Sequence, residues 1–224
     1  CDHARNNIPD EYMKLGLKKS ILRTHIAWDI GVKELSKSLA KTLQQSCFCS
    51  NFSRLLIDPN RNIKSDDLIL ENSFNVKIPR NHKITKKEKE CRLKYFYNPY
   101  HANLRKLILK KKQQYKNVYL IAIHSFTKES NEFNRGPEFG LLWNKDIDFF
   151  LKIKNLLLKK QVHVANNYPY SGYFYNYTLD RHSRDEDNLK NISIEIRNDL
   201  ICRPKGIKKC IKLFYNIFMD ILDD

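Results

Sequence analysis

The feature that most restricts what this chain can fold into is a run of six apolar residues, Val118-Tyr119-Leu120-Ile121-Ala122-Ile123, that stops abruptly at His124-Ser125. A strand with one face in water alternates apolar and polar side chains. An unbroken run suits a strand covered on both faces, as in a parallel sheet between helices. Ile192-Ser193-Ile194-Glu195-Ile196-Arg197 alternates strictly and predicts a second strand with Ser193, Glu195 and Arg197 on one face. Residues 139–143 and 162–165 read as shorter strands, the latter ending in Asn166-Asn167-Tyr168-Pro169. Residues 47–57 are apolar and β-leaning, a strand with its exit loop.

Helical patterns alternate with these runs. In residues 29–45, Val32, Leu35, Leu39 and Leu43 form one stripe behind Asp29, which can serve as the cap. Residues 146–159 read as a helix, and the last helix carries Ile207, Ile211, Phe214, Phe218 and Ile221 as its core stripe. Residues 84–115 read as a charged helix broken at Pro99. The alternation predicts an α/β fold, a three-layer sandwich around a mostly parallel mixed sheet, with its site beyond the carboxyl ends of the strands.

With 224 residues, no repeat and no Pro/Gly linker, the whole of 1–224 is read as a single domain. A hydrophobic content of 42% argues against disorder. No apolar run approaches the roughly 20 residues of a membrane helix, and no charged-then-apolar leader opens the chain. A cytoplasmic protein without membrane contact is expected. A motif begins at once at Cys1, so the chain reads as one that has lost its natural start.

The net charge of +16 raises the question of nucleic acid. Its excess is mostly Lys, spread through runs such as Lys110-Lys111-Lys112 and Lys208-Lys209, in a chain rich in Asn, Ile, Tyr and Phe. That is the mark of AT-biased coding and a solvated face, so nucleic acid is not the expected partner. Cys47 and Cys49 are one residue apart, which is not zinc-knuckle spacing, and reduced thiols are expected.

Several polar groups follow the predicted strands. His124 either caps its strand or serves as a ligand. Glu195 lies inside an isoleucine strand, where a carboxylate is costly unless it pairs with Arg197 or faces a metal. Arg54, Asn60 and Arg61 surround a tight turn, either a clamp for a substrate acid or a surface turn held by Asp58. His3, His25 and Asp29 offer metal-ligand side chains at non-local spacing. No Gly-rich phosphate loop and no Gly-x-Ser-x-Gly elbow is present, which disfavours nucleotide enzymes and α/β-hydrolases.

Taken in order, these pieces form a pattern. Cys1-Asp2-His3-Ala4, His25-Ile26-Ala27-Trp28-Asp29, Ser53-Arg54 with Asp58-Pro59-Asn60-Arg61, Pro99-Tyr100-His101, His124-Ser125, Gly140-Leu141-Leu142-Trp143, Asn166 with Tyr168-Pro169-Tyr170-Ser171, and Glu195-Ile196-Arg197-Asn198-Asp199 run from residue 1 to about 201. In this order they resemble the N-formylglutamate amidohydrolase family. The resemblance implies a fold similar to zinc carboxypeptidases and aspartoacylases, one zinc ion per chain, and hydrolysis of N-formylglutamate or a related N-acyl amino acid. It makes His3 and His124 metal ligands, with Asp29 the third and His25 its competitor, and Glu195 the general base and then acid. Arg54, Asn60 and Arg61 resemble the group that holds a substrate carboxylate, and Asn166 and Arg197 join the substrate-binding set. The resemblance implies a strand before His3, which is expected to be missing here. The opposing readings are a non-catalytic basic scaffold or nucleic-acid-binding relative of the same fold, and a carboxypeptidase-like enzyme acting on longer peptides.

Overall fold

A computed structural model describes residues 1–129, 135–184, 186 and 189–222. In chain order its helices and strands are α1 (Lys19–Leu22), α2 (Val32–Thr42), β1 (Asn72–Ser73), β2 (Val76–Lys77), α3 (Lys86–Arg92), α4 (Asn98–Gln114), β3 (Val118–Phe126), β4 (Phe139–Leu142), α5 (Ile147–Lys159), β5 (Ala165–Asn166), α6 (Gly172–Tyr175), α7 (Tyr177–Ser183), β6 (Leu189–Arg197) and α8 (Pro204–Leu222). None of the described helices is long and apolar enough to cross a membrane.

The central sheet has the order β3-β6-β4-β5. β3 and β6 are parallel over nine residues, β4 and β5 are parallel, and β6 and β4 are antiparallel. The sheet is therefore mixed, as the alternation predicts, and helices cover both faces. On one face Ile192, Ile194 and Ile196 of β6 pack with the stripes of α2, α5 and α8, including Val32, Phe149 and Phe214. On the other, α4 and the turn before it close over Leu55, Leu56 and Ile57 through Tyr97, Tyr100, Leu104 and Ile108. The outer edge of β3 has no partner strand among the described residues. It lies in an apolar groove of about 400 Å³ between Leu39 of α2, with Leu43 just beyond it, and Leu104 and Ile108 of α4.

Four local expectations are corrected. The cap of α2 is Gly31, in the left-handed region at φ +83°, where a Cβ would stand 2.1 Å from the carbonyl oxygen of Ile201. Asp29 is thereby released to point its carboxylate elsewhere. Residues 47–57 form no strand. Their apolar side chains fill the core under α4, and their backbone ties down the N-terminus through Cys1 N to Phe48 O and Ser50 N to Cys1 O. Pro99 does not break its helix. A π-helical turn over Leu93–Tyr97, closed by Asn98 N to Leu93 O, carries α3 into α4, and the proline sits in the first turn, where its missing N–H is no loss. Of residues 162–165 only Ala165 belongs to a strand, while Val162 and Val164 pack against the core.

Candidate active site

The register of the two long strands builds the site. In the parallel pair, His124 of β3 stands directly beside Glu195 of β6. Both project from the face opposite the Ile192-Ile194-Ile196 row, because alternate residues of a strand face opposite sides. Glu195 is 5% exposed, and its Oε2 is buried without a hydrogen-bond partner. Burial disfavours its charged form and outweighs the attraction of His124, raising its pKa to about 7. It makes no ion pair with Arg197, which is spent on Asp199, Glu138 and the Gly136 carbonyl.

The N-terminal segment brings a second histidine to the same place. Asp29 N donates to His3 O, which lays the two segments side by side. His3 Nδ1 is then 3.5 Å and His124 Nδ1 2.9 Å from Asp29 Oδ2. That oxygen also accepts from the Ser125 amide. Each ring turns its other nitrogen toward another carboxylate. His3 Nε2 donates to Asp58 Oδ1 at 2.8 Å, and His124 Nε2 lies 3.2 Å from Asp2 Oδ2. Tyr100 donates a short hydrogen bond to the other oxygen of Asp2. Arg54 completes the cluster, donating to Asp58 Oδ2 at 3.0 Å and lying 3.8 Å from Asp29 Oδ1.

The charges follow from these contacts. Burial alone would raise the carboxyl groups, but His3 and His124 hold Asp29 well below the usual range. His3 and Arg54 do the same for Asp58. Burial works against a charged His124, yet Asp2 and Asp29 hold it up at about 10. Burial would raise Asp2 as well, but His124 holds it low, so Asp2, Asp29 and Asp58 are all carboxylates at neutral pH.

One ligand atom from each of His3, Asp29 and His124 lies within 4.8 Å of the others, and all three residues are buried. Two imidazoles and a carboxylate are the protein ligands of a hydrolytic zinc centre. The donor set therefore fits such an ion. His25 is not in this group; it packs edge-on against Phe74 at 4.6 Å.

The predicted substrate-binding residues divide. Arg54 belongs to the cluster. Asn60 is buried in a structural role, bonding Tyr175 O and Thr178 N. Arg61 pairs with Asp67 at 2.5 Å and lies over the Tyr175 ring. Asn166 is exposed and accepts from the Trp143 indole. Sequence reasoning passed over Asp2, Asp58, Tyr100 and Arg135 as site residues. Asp2 next to His3, and Asp58 four residues after Arg54, were the available signals. Arg135 is 7% exposed, its Nε is buried without a partner, and its guanidinium lies over the Phe126 and Tyr170 rings and hydrogen-bonds only Thr127 and the Tyr170 hydroxyl among the described residues. Tyr170 is affected electrostatically by Arg135, Glu195 and Arg54 together, which puts these groups in one neighbourhood.

Comparison with known proteins accords with this geometry. A crystal structure of a gene product from Agrobacterium tumefaciens superposes with a TM-score of 0.94 at 28% identity, over 100% of this chain and 88% of that one. That of N-formylglutamate amidohydrolase from Ralstonia eutropha superposes with a TM-score of 0.75 at 21% identity, over 99% and 90%, a likeness of fold. No curated protein matches the sequence. The model of the N-formylglutamate amidohydrolase family matches residues 1–202, and the chain belongs to that family of amide-hydrolysing enzymes.

Proposed function

We propose that this protein is a metal-dependent hydrolase that cleaves the amide bond of N-formylglutamate or a related N-acyl amino acid, with Glu195 carrying the proton. The observation that supports the reading best is the pairing of a buried carboxylate that has an open oxygen with a ligand histidine one strand away, His124 beside Glu195. His3, Asp29 and His124 would hold the metal, zinc by the nature of the donors. When bound, such an ion supplies Lewis acidity toward the acyl carbonyl and lowers the pKa of a water to about 7.

The chain's own groups do the rest. Glu195, held near 7, can take a proton from the attacking water and return it to the departing amine nitrogen. Arg54 stands beside Asp29 with its side chain 23% exposed, so it can reach the substrate while staying anchored to Asp58. Arg135 carries a buried charge with no carboxylate partner among the described residues, and a substrate α-carboxylate would supply one. The products are formate or another small acid and a free amino acid.

The test is direct. Purified wild type and Glu195→Gln are incubated with N-formylglutamate, with and without a chelator, and released formate is measured by a coupled dehydrogenase. Formate release by the wild type that chelation abolishes, zinc restores, and Glu195→Gln lowers by at least 100-fold is the expected result. Hydrolysis that survives chelation, or a fully active Glu195→Gln, would overturn the mechanism.

A further inference from the structure

Each histidine of the centre has a further carboxylate on its Nε2 side, Asp58 hydrogen-bonded to His3 and Asp2 at ion-pair distance from His124, and neither belongs to the His3–Asp29–His124 group. We infer that Asp58 and Asp2 are positioning residues, each fixing the Nε2 side of one histidine so that the Nδ1 side of both turns toward Asp29. The inference rests on the metal-centre reading above and deepens it.

For His3 the argument is one of donors and acceptors. Both oxygens of Asp58 already accept, Oδ1 from the Asn60 amide and Oδ2 from Arg54, so the proton in its 2.8 Å contact with Nε2 belongs to the ring. On the opposite side, Arg54 Nη1 stands 3.4 Å from Nδ1, and a guanidinium can only donate. Nδ1 is therefore the nitrogen that carries the lone pair, and it lies 3.5 Å from Asp29. Asp58 is itself fixed, its Oδ1 accepting from the Asn60 amide at 2.8 Å and its Oδ2 from Arg54. The ring cannot rotate without breaking this set.

His124 meets its carboxylate from another part of the chain as a close charge pair without a formed hydrogen bond. Its Nε2 faces Asp2 at 3.2 Å and its Nδ1 faces Asp29 at 2.9 Å. Asp2 is held in turn by Tyr100 of α4, 98 residues away in sequence. Two independent carboxylates thus bracket the centre, one anchored in the turn after Arg54 and one by a helix of the covering layer. Partners of this kind fix the ring tautomer and raise ligand basicity, and their loss typically costs about 10–100-fold in metal affinity.

The experiment reads zinc affinity, not turnover. Wild type, Asp58→Ala, Asp58→Asn and Asp2→Ala are titrated with zinc against a chromophoric chelator, and their cobalt(II) visible spectra are recorded. Circular dichroism and a thermal midpoint check that each is folded. Asp58→Ala and Asp2→Ala should each bind about one ion with affinity weakened about 10–100-fold and show altered cobalt bands. Asp58→Asn should recover part of the loss, because its amide oxygen still accepts the Nε2 proton. Wild-type affinity in both alanine variants would overturn the inference and leave the metal centre standing. A wild type that binds neither ion would overturn both. Should Asp58→Ala not fold, Asp2→Ala decides alone, since its carboxylate touches neither Arg54 nor Asn60.

Discussion

A carboxylate buried in a strand of isoleucines leaves a signature in the pH dependence of stability. Burial raises the pKa of Glu195 from 4.5 to about 7, so between those values the folded chain binds more protons than the unfolded one. Stability contributed by this group is therefore present below pH 4.5 and lost as pH rises through about 7. In the presence of chelator, Glu195→Gln should melt above wild type at pH 8 by several degrees, on the order of 2 kcal/mol, and close to wild type at pH 5. Equal melting at both values would mean that the carboxylate is not strained. Arg135 makes a second prediction at this scale. Arg135→Leu should lower kcat/KM for an N-acyl amino acid by about 100-fold, mostly through KM, in line with the loss of about 3 kcal/mol for a charge-assisted contact. Its thermal midpoint should hold or rise, since a buried charge has been removed. Unchanged KM would place the substrate carboxylate elsewhere.

At the scale of elements, two features decide how the loops are held. Gly140 of β4 allows the Tyr168 carbonyl to pass where a side chain would be, since a Cβ there would lie 1.7 Å from that oxygen. Gly140→Ala should cost about 1–3 kcal/mol and displace the segment that carries Tyr170, with a fall in activity larger than the loss of folded protein explains. Wild-type activity and melting would show that the backbone yields freely. On the same side of the sheet, His182 of α7 donates to His101 of α4, and His101 donates to the Pro59 carbonyl. Burial and the nearby Arg181 lower His101 to about 3 and His182 to about 4. Both rings are neutral when folded and charged when unfolded below pH 6.5, so stability should fall as pH drops from 6.5 toward 4. His182→Gln should flatten that limb in an acid unfolding titration.

These elements also show what could be read in advance. The long strands and the stripes of α2, α5 and α8 were legible, because periodicity reports which side of an element is buried. The π turn before Pro99, the cap at Gly31 and the open course of 47–57 were not. They are settled by contacts with distant segments: Ile201 against Gly31, Cys1 against Phe48 and Ser50. The site divides the same way. His124 stands out at the end of an apolar run, Glu195 as an acid inside an isoleucine strand and His3 by its type, whereas Asp2, Asp58 and Arg135 acquire meaning only once the fold brings partners to them. Arg61 and Arg197 show the converse, charged residues in suggestive motifs that a neighbouring acid neutralises.

The whole molecule sets a cluster of acids, Asp2, Asp29, Asp58 and Glu195, inside a chain of net charge +16. A positive exterior draws anions inward over distances of about a Debye length, roughly 8 Å at physiological salt. An N-acyl glutamate carries two carboxylates, so raising salt from 20 to 300 mM should reduce kcat/KM several-fold with little change in kcat. A neutral N-acyl amide should show no such dependence. If both substrates respond alike, the surface charge plays no part in capture.

The pairing of His124 with Glu195 also restricts how this chain can vary in length. Deleting or inserting a single residue in β6 ahead of Glu195 would rotate an isoleucine into the acid's place and drive the carboxylate into the core of α2, α5 and α8. A change of two residues would restore the side while shifting its level along β3. Among related chains, gaps in this strand should therefore be rare and even in length, while those in the connecting loops follow no such parity.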